Sequence, residues 1–257
     1  MDPVTLTTVI PTYNEGDQLL GFLESWASTG LSHTCVVAKA IVIDDGSRPD
    51  DAAVQQRAVG IAMDLLRAGG SAHCVEYRRT DRNAGKGAAI RLGWRDADAQ
   101  SAWLSFIDAD GAVPAREYWR LADQLPTASA DVVCGSRMQV EGRSVTRSQF
   151  RRLQGRVFAT LVDQLLHLGM YDTQCGIKFF RGDRLRPLLP SLQEDRWLLD
   201  VELLTLLKDA GASCTEIPID CHERGGSSLV VGLDPLKMIV RLVQLRRRLR
   251  GGQSQSS

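Results

Sequence analysis

The chain has 257 residues, 44% of them hydrophobic and 24% charged, with a formal net charge of zero. That is room for one α/β domain with a substantial core, and the charge balance excludes a general polyanion binder, nucleic acid included. No apolar stretch approaches the roughly 20 residues that span a bilayer, and "MDPVTLTTVIPTYNE" lacks the basic start and long apolar core of a signal peptide, so a cytoplasmic location is expected.

Apolar β-branched runs alternate with helix-period segments through the first half. "LTTVI" (Leu6–Ile10) predicts a strand, Gly16–Ser28 a helix, "AIVI" (Ala40–Ile43) a strand and Asp50–Arg67 a helix. "HCVEY" (His73–Tyr77) follows as a strand, Gly87–Asp98 as a helix, "WLSFI" (Trp103–Ile107) as a strand, Pro114–Gln124 as a helix and "DVVCG" (Asp131–Gly135) as a strand. Such alternation predicts an α/β fold: a mostly parallel central sheet flanked by helices. Arg147–Leu168 then reads as one long amphipathic helix, with Phe150, Leu153, Val157, Leu161 and Leu165 near a 3.6-residue period. A helix around Leu198–Ala210 and a strand "TEIPI" come next, and the basic run "LKMIVRLVQLRRRLR" predicts an amphipathic terminal helix. The expected division is a domain over 1–232, this helix over 233–250 and a disordered tail over 251–257. The six cysteines contain no C-x-x-C pair and there are four histidines, so reduced, mostly buried thiols are expected rather than a zinc site.

In open α/β sheets, ligands bind outside the carboxyl ends of the strands. Here the first strand ends in "PTYNE", the second in "DDGS" and the fourth in "DAD", while the third leads into "RNAGKG". Each is weak alone, because such loops also cap helices and make turns; four on one sheet edge form a site. In "RNAGKG", Gly85 and Gly87 permit close backbone approach at a helix start, where free N–H groups favour phosphate, and Lys86 adds a point charge. A helix-initiating turn is the plain alternative. "FIDADG" carries Asp108 and Asp110, read either as a divalent-metal site for nucleotide phosphates or as the nucleophile motif of haloacid-dehalogenase-type phosphatases. Two nucleotide-type motifs precede it, and that disfavours the phosphatase.

"TTVIPTYNE", "IVIDDGS", "RNAGKGAAIRLG", "FIDADG", "VVCGSR", "DTQCGIKFF", "RWLLDVELL" and "EIPIDCHERGGSSL" together resemble family-2 glycosyltransferases of the GT-A fold. The series is most similar to the branch that moves sugars onto polyprenyl phosphates: dolichyl-phosphate β-glucosyltransferases first, dolichol-phosphate mannose synthases next. The resemblance implies inverting transfer of a hexose from a nucleotide-diphosphate sugar, UDP-glucose favoured, to a polyprenyl phosphate. Mannosyl transfer from GDP-mannose, a non-lipid acceptor, or a non-catalytic nucleotide-sugar binding module are the alternatives.

By the same resemblance Pro11, Tyr13, Glu15, Asp44 and Asp45 hold the nucleotide, together with Lys86 and Asp108, and Asp108 and Asp110 hold Mg²⁺ or Mn²⁺ at the diphosphate. Hard carboxylate oxygens suit those cations. Ala112 stands where mannose synthases often carry Gln, in keeping with the glucosyltransferase branch. Arg137, Arg147 and Arg151 match positions near an acceptor phosphate, and Arg224 and Ser228 match a loop on the acceptor side. Arg147 and Arg151 are expected on one helix face, whereas Arg152 and Arg156 read as a solvated face. Asp172 matches a catalytic base, with a turn-capping Asp as the plain alternative. Asp200 and Glu202 either meet sugar hydroxyls or start a helix, and Trp197 belongs to the core or a substrate wall. The terminal helix, with Leu236, Ile239, Val240, Val243 and Leu245 as its stripe, either docks peripherally on a membrane surface or packs on the domain.

Overall fold

Long aliphatic runs, apolar on both faces, are what a parallel sheet covered on both sides requires, and they build the centre of this protein. In the computed structural model, which describes residues 3–222 and 235–253, the elements run β1 (Val4–Thr12), α1 (Gly16–Gly30), β2 (Val36–Asp44), α2 (Pro49–Ala68), β3 (Cys74–Arg79), α3 (Lys86–Arg95), β4 (Trp103–Ile107) and α4 (Ala115–Ala122). They continue with β5 (Val132–Ser136), β6 (Val145–Thr146), α5 (Gln149–Leu166), β7 (Ile177–Arg181), α6 (Gly182–Leu185), α7 (Leu199–Asp209), β8 (Cys214–Pro218), β9 (Cys221–His222) and α8 (Pro235–Gln253). The main sheet has the order β3-β2-β1-β4-β7-β5-β8. All neighbouring strands are parallel except β7, which runs antiparallel to both β4 and β5. β6 and β9 form a separate parallel pair.

Two apolar layers cover the sheet. On one face, α1, α2 and α4 pack Leu19, Trp26, Ala62, Tyr118 and Trp119 against β1, β2 and β4. On the other, Ile90 and Trp94 of α3 and Leu203 and Leu207 of α7 pack against Val9, Phe106 and Phe180. Each fully buried side chain of this size contributes about 1.5–3 kcal/mol. A third cluster joins Phe158 and Val162 of α5, Leu198 and Val201 around α7, and Leu242 and Leu245 of α8.

The mostly parallel α/β architecture matches the expectation from the sequence, and several details differ. β7 was not foreseen: its run "IKFF" is interrupted by Lys178, a charge that reads as solvent-exposed and is 0% exposed here. The predicted helix Arg147–Leu168 starts only at Gln149, so Arg147 lies before it and does not share a helix face with Arg151. Ser148 supplies the carbonyl that accepts the Arg152 N–H at 3.0 Å, because the chain is still leaving β6 at Arg147. The buried face of α5 is Phe158, Ala159 and Val162, while Leu153 and Val157 of the expected stripe are 65% and 50% exposed. The helices α7 and α8 pack against the 158/162 side, and that choice depends on partners distant in sequence.

α8 extends to Gln253, so residues 251–253 of the expected tail are helical; 254–257 lie outside the described residues. Its packed side is Leu242 and Leu245, while Ile239 and Val240 of the expected stripe point outward. Arg248 bonds Glu202 Oε1 at 2.5 Å and Glu194 Oε1 at 3.4 Å, which ties the helix to the domain. Among the described residues no helix is long and apolar enough to cross a membrane.

Candidate active site

The carboxyl ends of β1, β2 and β4 lie side by side, and they carry the acids singled out from the sequence. Pro11 is buried in β1 at a point where the strand pairs with β2 but has run past its pairing with β4, so its missing N–H breaks no ladder bond on that side. Tyr13 is 47% exposed at the rim. Asn14 takes a left-handed φ of 55°, which Asn tolerates. Its N–H donates to Ser47 Oγ at 2.9 Å and its Oδ1 accepts the Arg48 N–H at 2.9 Å. These two bonds lock the "PTYNE" loop to the "DDGS" turn.

The two aspartates of that turn are internal braces. Asp44 is 0% exposed and accepts the Ser47 N–H at 2.8 Å and the Tyr77 hydroxyl at 2.7 Å. Asp45 accepts the Ala84 N–H at 2.9 Å and the Gly85 N–H at 2.7 Å. Two of the "RNAGKG" amides, those of Ala84 and Gly85, are therefore engaged by Asp45. Its glycines admit the protein's own chain instead: a side chain at Gly87 would stand 2.6 Å from the Glu194 carbonyl and 2.7 Å from that of Arg196. The loop starts helix α3, with Gly85 at φ 111° as the residue before it, and it also delivers Lys86 to the acids at the strand ends.

Four charged side chains converge above this brace. Lys86 Nζ lies 2.6 Å from Asp108 Oδ1 and 5.3 Å from the centre of the Phe106 ring. Burial works against its charge, but Asp108 and then Asp200 hold its pKa above the ordinary lysine range. Asp110 Oδ1 accepts the Ala112 N–H at 2.9 Å, which fixes the turn after β4. Glu15, from the end of β1, is pushed up to about 7 by burial, with the charges of Asp110 and Asp108 adding to it. A buried carboxyl raised this far, with two neighbouring carboxylates adding to the effect of burial, marks an acid-rich pocket that a divalent cation would relieve. Among the described residues no group of three or more His, Cys, Asp or Glu forms a complete cage, so a cation here would draw its remaining ligands from phosphate and water.

The segment 172–178 joins this pocket to a second one. At one end, the Asp108 N–H donates to the Gly176 carbonyl at 2.9 Å, and any side chain at Gly176 would run into the Asp108 carboxylate. At the other end Asp172, 8% exposed, clamps Arg137. Nε donates to Oδ2 at 2.7 Å, the terminal nitrogen to Oδ1 at 2.8 Å, and the Arg137 backbone N–H to Oδ2 at 3.0 Å. Burial raises the Asp172 pKa, yet the Arg137 charge and its hydrogen bonds outweigh it and bring it down to about 2. Such a carboxylate is a weak proton acceptor; the geometry makes it the holder of Arg137.

Two groups of this site were not identified from the sequence. Lys178 donates to Asp200 Oδ1 at 2.6 Å and to the Cys175 carbonyl at 2.8 Å, a buried ion pair between the two pockets. Glu216 accepts the N–H groups of Tyr171 at 2.7 Å and Asp172 at 2.9 Å, which positions the clamp from β8. The alternation of "TEIPI" placed Glu216 on a strand, and nothing local shows that it faces two amides.

The remaining expectations divide. Arg147 lies against α5, with a guanidinium nitrogen 3.5 Å from where a Gly155 side chain would begin. The side chain of Arg151, and Arg224 and Ser228 altogether, lie outside the described residues. Arg152 donates to the Val145 carbonyl at 3.1 Å and Arg156 stacks 4.3 Å from the Tyr171 ring, so both are more anchored than a solvated face implies. Glu202 is 0% exposed and accepts the N–H groups of Gln193 and Glu194, a structural brace rather than a sugar ligand. Trp197 packs edge-on to Phe158, 5.5 Å between ring centres, and belongs to the core.

Comparison with known proteins agrees with this geometry. The family model described as "Glycosyl transferase family 2" matches residues 7–188. The dolichyl-phosphate beta-glucosyltransferase of Homo sapiens is 33% identical over 257 residues, covering 95% of this chain and 75% of the relative. That of Drosophila melanogaster is 32% identical, covering 87% and 69%. Among solved structures, mannosyl-3-phosphoglycerate synthase from Rubrobacter xylanophilus superposes with a TM-score of 0.67 at 16% identity, covering 96% of this chain and 75% of that one. Glucosyl-3-phosphoglycerate synthase from Mycobacterium tuberculosis, in complex with Mn²⁺, UDP and glucosyl-3-phosphoglycerate, gives 0.59 at 17% identity, covering 94% and 78%. At such identities the structures share the fold.

Proposed function

Since the chain belongs to glycosyl transferase family 2, we propose that this glycosyltransferase moves glucose from UDP-glucose to a polyprenyl phosphate with inversion at the anomeric carbon. The observation that carries the reading is the meeting of Glu15, Lys86, Asp108 and Asp110 at the strand ends, joined by segment 172–178 to the Arg137–Asp172 clamp. Similarity to dolichyl-phosphate beta-glucosyltransferases supports the choice of sugar and acceptor.

We assign Tyr13, exposed at the rim, to the nucleobase, and the loop that Asp44, Asp45 and Asn14 brace to the ribose. Asp108 and Asp110 would hold Mg²⁺ or Mn²⁺, whose Lewis acidity would offset charge on the departing nucleoside diphosphate. Lys86 places a further positive charge beside Asp108. We assign Arg137, pre-aligned by Asp172, to the acceptor phosphate, and the motif resemblance names Arg147, Arg151, Arg224 and Ser228 as the further candidates for that role. An acceptor phosphate oxygen attacks the anomeric carbon from the face opposite the nucleotide. The acceptor is already an anion at neutral pH and needs no strong base, so we assign Asp172 to positioning. Catalysis then rests on orientation and charge stabilisation.

The acceptor's membrane is approached from the cytoplasmic side through neighbouring helices α5 and α8, whose outward residues include Leu153, Val157, Ile239 and Val240 beside exposed Arg156, Arg241 and Arg247. Such a mixture suits peripheral contact with anionic lipid. The deciding experiment supplies UDP-glucose or GDP-mannose with Mg²⁺ or Mn²⁺ and a short polyprenyl phosphate, and follows nucleoside diphosphate release. UDP release that needs both the acceptor and a divalent cation is expected. Release from GDP-mannose alone, or donor binding without turnover, overturns the assignment.

A further inference from the structure

Where β5 and β8 meet the segment leading to Asp172, three sulfur atoms come together. Cys134 and Cys214 stand on adjacent strands with their Sγ atoms 3.9 Å apart, and Met170 Sδ lies 4.0 Å from Cys214 Sγ. Two sulfurs bound at about 2.3 Å to one trigonal centre stand about 4.0 Å apart, which is the spacing of Cys214 from Cys134 and from Met170. The spacing therefore fits a shared ligand. A disulfide fits less well: Cys134 is in register with Glu216 and Cys214 with Val132, a two-residue offset, and the sulfurs would have to close to about 2.05 Å.

The ligands are held in place and reachable. Met170 sits between two anchored residues: the Gly169 N–H donates to Asp163 Oδ1 at 2.7 Å and the Tyr171 N–H to Glu216 Oε2 at 2.7 Å. Cys214 is exposed on the edge strand β8 and Cys134 is buried behind it. A cavity of about 220 Å³, lined by Met170, Cys214, Leu168, Leu204, Leu207 and Lys208, opens onto the group. Its walls are mostly apolar, which repels hydrated hard cations. The buried Lys178 ammonium, itself paired with Asp200 at 2.6 Å, lies close enough to act on both sulfurs.

We propose that Cys134, Cys214 and Met170 form a binding site for a soft monovalent cation of the Cu(I) class. Two thiolates and a thioether select such ions over Mg²⁺ or Mn²⁺, so this site and the strand-end acids do not compete for the same metal. Binding releases the thiol protons and involves no change of oxidation state.

The test titrates the reduced full-length chain anaerobically with Cu(I) against a coloured Cu(I) chelator. One Cu(I) retained per chain is expected, with sulfur-only scatterers at about 2.3 Å by X-ray absorption. Cys214→Ser should weaken retention at least about 100-fold, beyond what loss of an outer-shell partner does. Met170→Leu, which keeps the volume of the side chain, should weaken it about tenfold. Cys35→Ser, at an exposed thiol elsewhere, should change nothing. Circular dichroism verifies folding of each variant. The proposal is overturned if wild type retains no Cu(I), if Cys214→Ser binds as wild type does, if Cys35→Ser abolishes binding, or if mass spectrometry finds a Cys134–Cys214 disulfide instead.

Discussion

Asp172 and Asp110 show how neighbours decide what a carboxylate does. Asp172 has a folded pKa of about 2 against an unfolded value of 3.8, because Arg137 favours its charged form. A depressed carboxyl pKa stabilises the fold above the unfolded value, and that stability is lost as pH falls through the folded one. The contribution is about 2 kcal/mol at neutral pH, disappearing between roughly pH 4 and pH 2. Asp172→Asn should remove this acid limb and deprive Arg137 of the Asp172 charge, a loss of about 2 kcal/mol or more at pH 7. Urea unfolding at pH 3 and pH 7 tests it; an unchanged pH dependence would contradict the clamp. Asp110 instead faces Glu15 and Asp108, and its repulsion helps hold Glu15 at about 7. Asp110→Ala should lower kcat by at least about 100-fold, the scale of losing a transition-state charge stabiliser, while circular dichroism stays unchanged. Near-normal turnover would reject the metal assignment. Both aspartates were visible as motif residues, but the partners that set their charge, Arg137 for Asp172 and the other acids for Asp110, were not.

Helices α5 and α8 show where periodicity stops being informative. A 3.6-residue pattern predicts that a helix has an apolar face, and both have one. It does not choose between adjacent stripes, and here the buried one is Phe158 and Val162, with Leu153 and Val157 left outside. Outward apolar residues flanked by arginine predict lipid contact. Val157→Asp combined with Val240→Asp should reduce co-sedimentation with anionic vesicles several-fold while leaving stability within about 0.5 kcal/mol, as for exposed sites in general. Unchanged co-sedimentation would remove these helices from the membrane account. β7 is the complementary case. Its short apolar run was hidden by Lys178, whose burial is compensated by Asp200, and no local rule foretells a lysine inside a sheet.

For the molecule as a whole, α8 is a structural part of the domain. Leu242 and Leu245 complete the third apolar cluster, and Arg248 meets Glu202, which is 0% exposed. Arg248→Ala should cost about 1–3 kcal/mol by removing a charged hydrogen bond from Glu202, which keeps its bonds from the Gln193 and Glu194 N–H groups, measured as a fall in the urea midpoint. A midpoint unchanged by the substitution would mean that the helix is only loosely seated. Read alone, the order of residue types determined the alternating α/β architecture, the placing of acids at the ends of β1, β2 and β4, and the reaction class those motifs resemble. Local chemistry suffices there, since strand propensity, turn residues and the facing of strand ends in a parallel sheet all follow from neighbours in sequence. Tertiary structure alone decided that Asp45 braces the "RNAGKG" turn, that Arg137 is held by Asp172 and Asp172 by Glu216, and that α8 turns Leu242 inward. Those choices join residues 35 or more positions apart, and such pairings are set by how the layers pack, which no local pattern encodes.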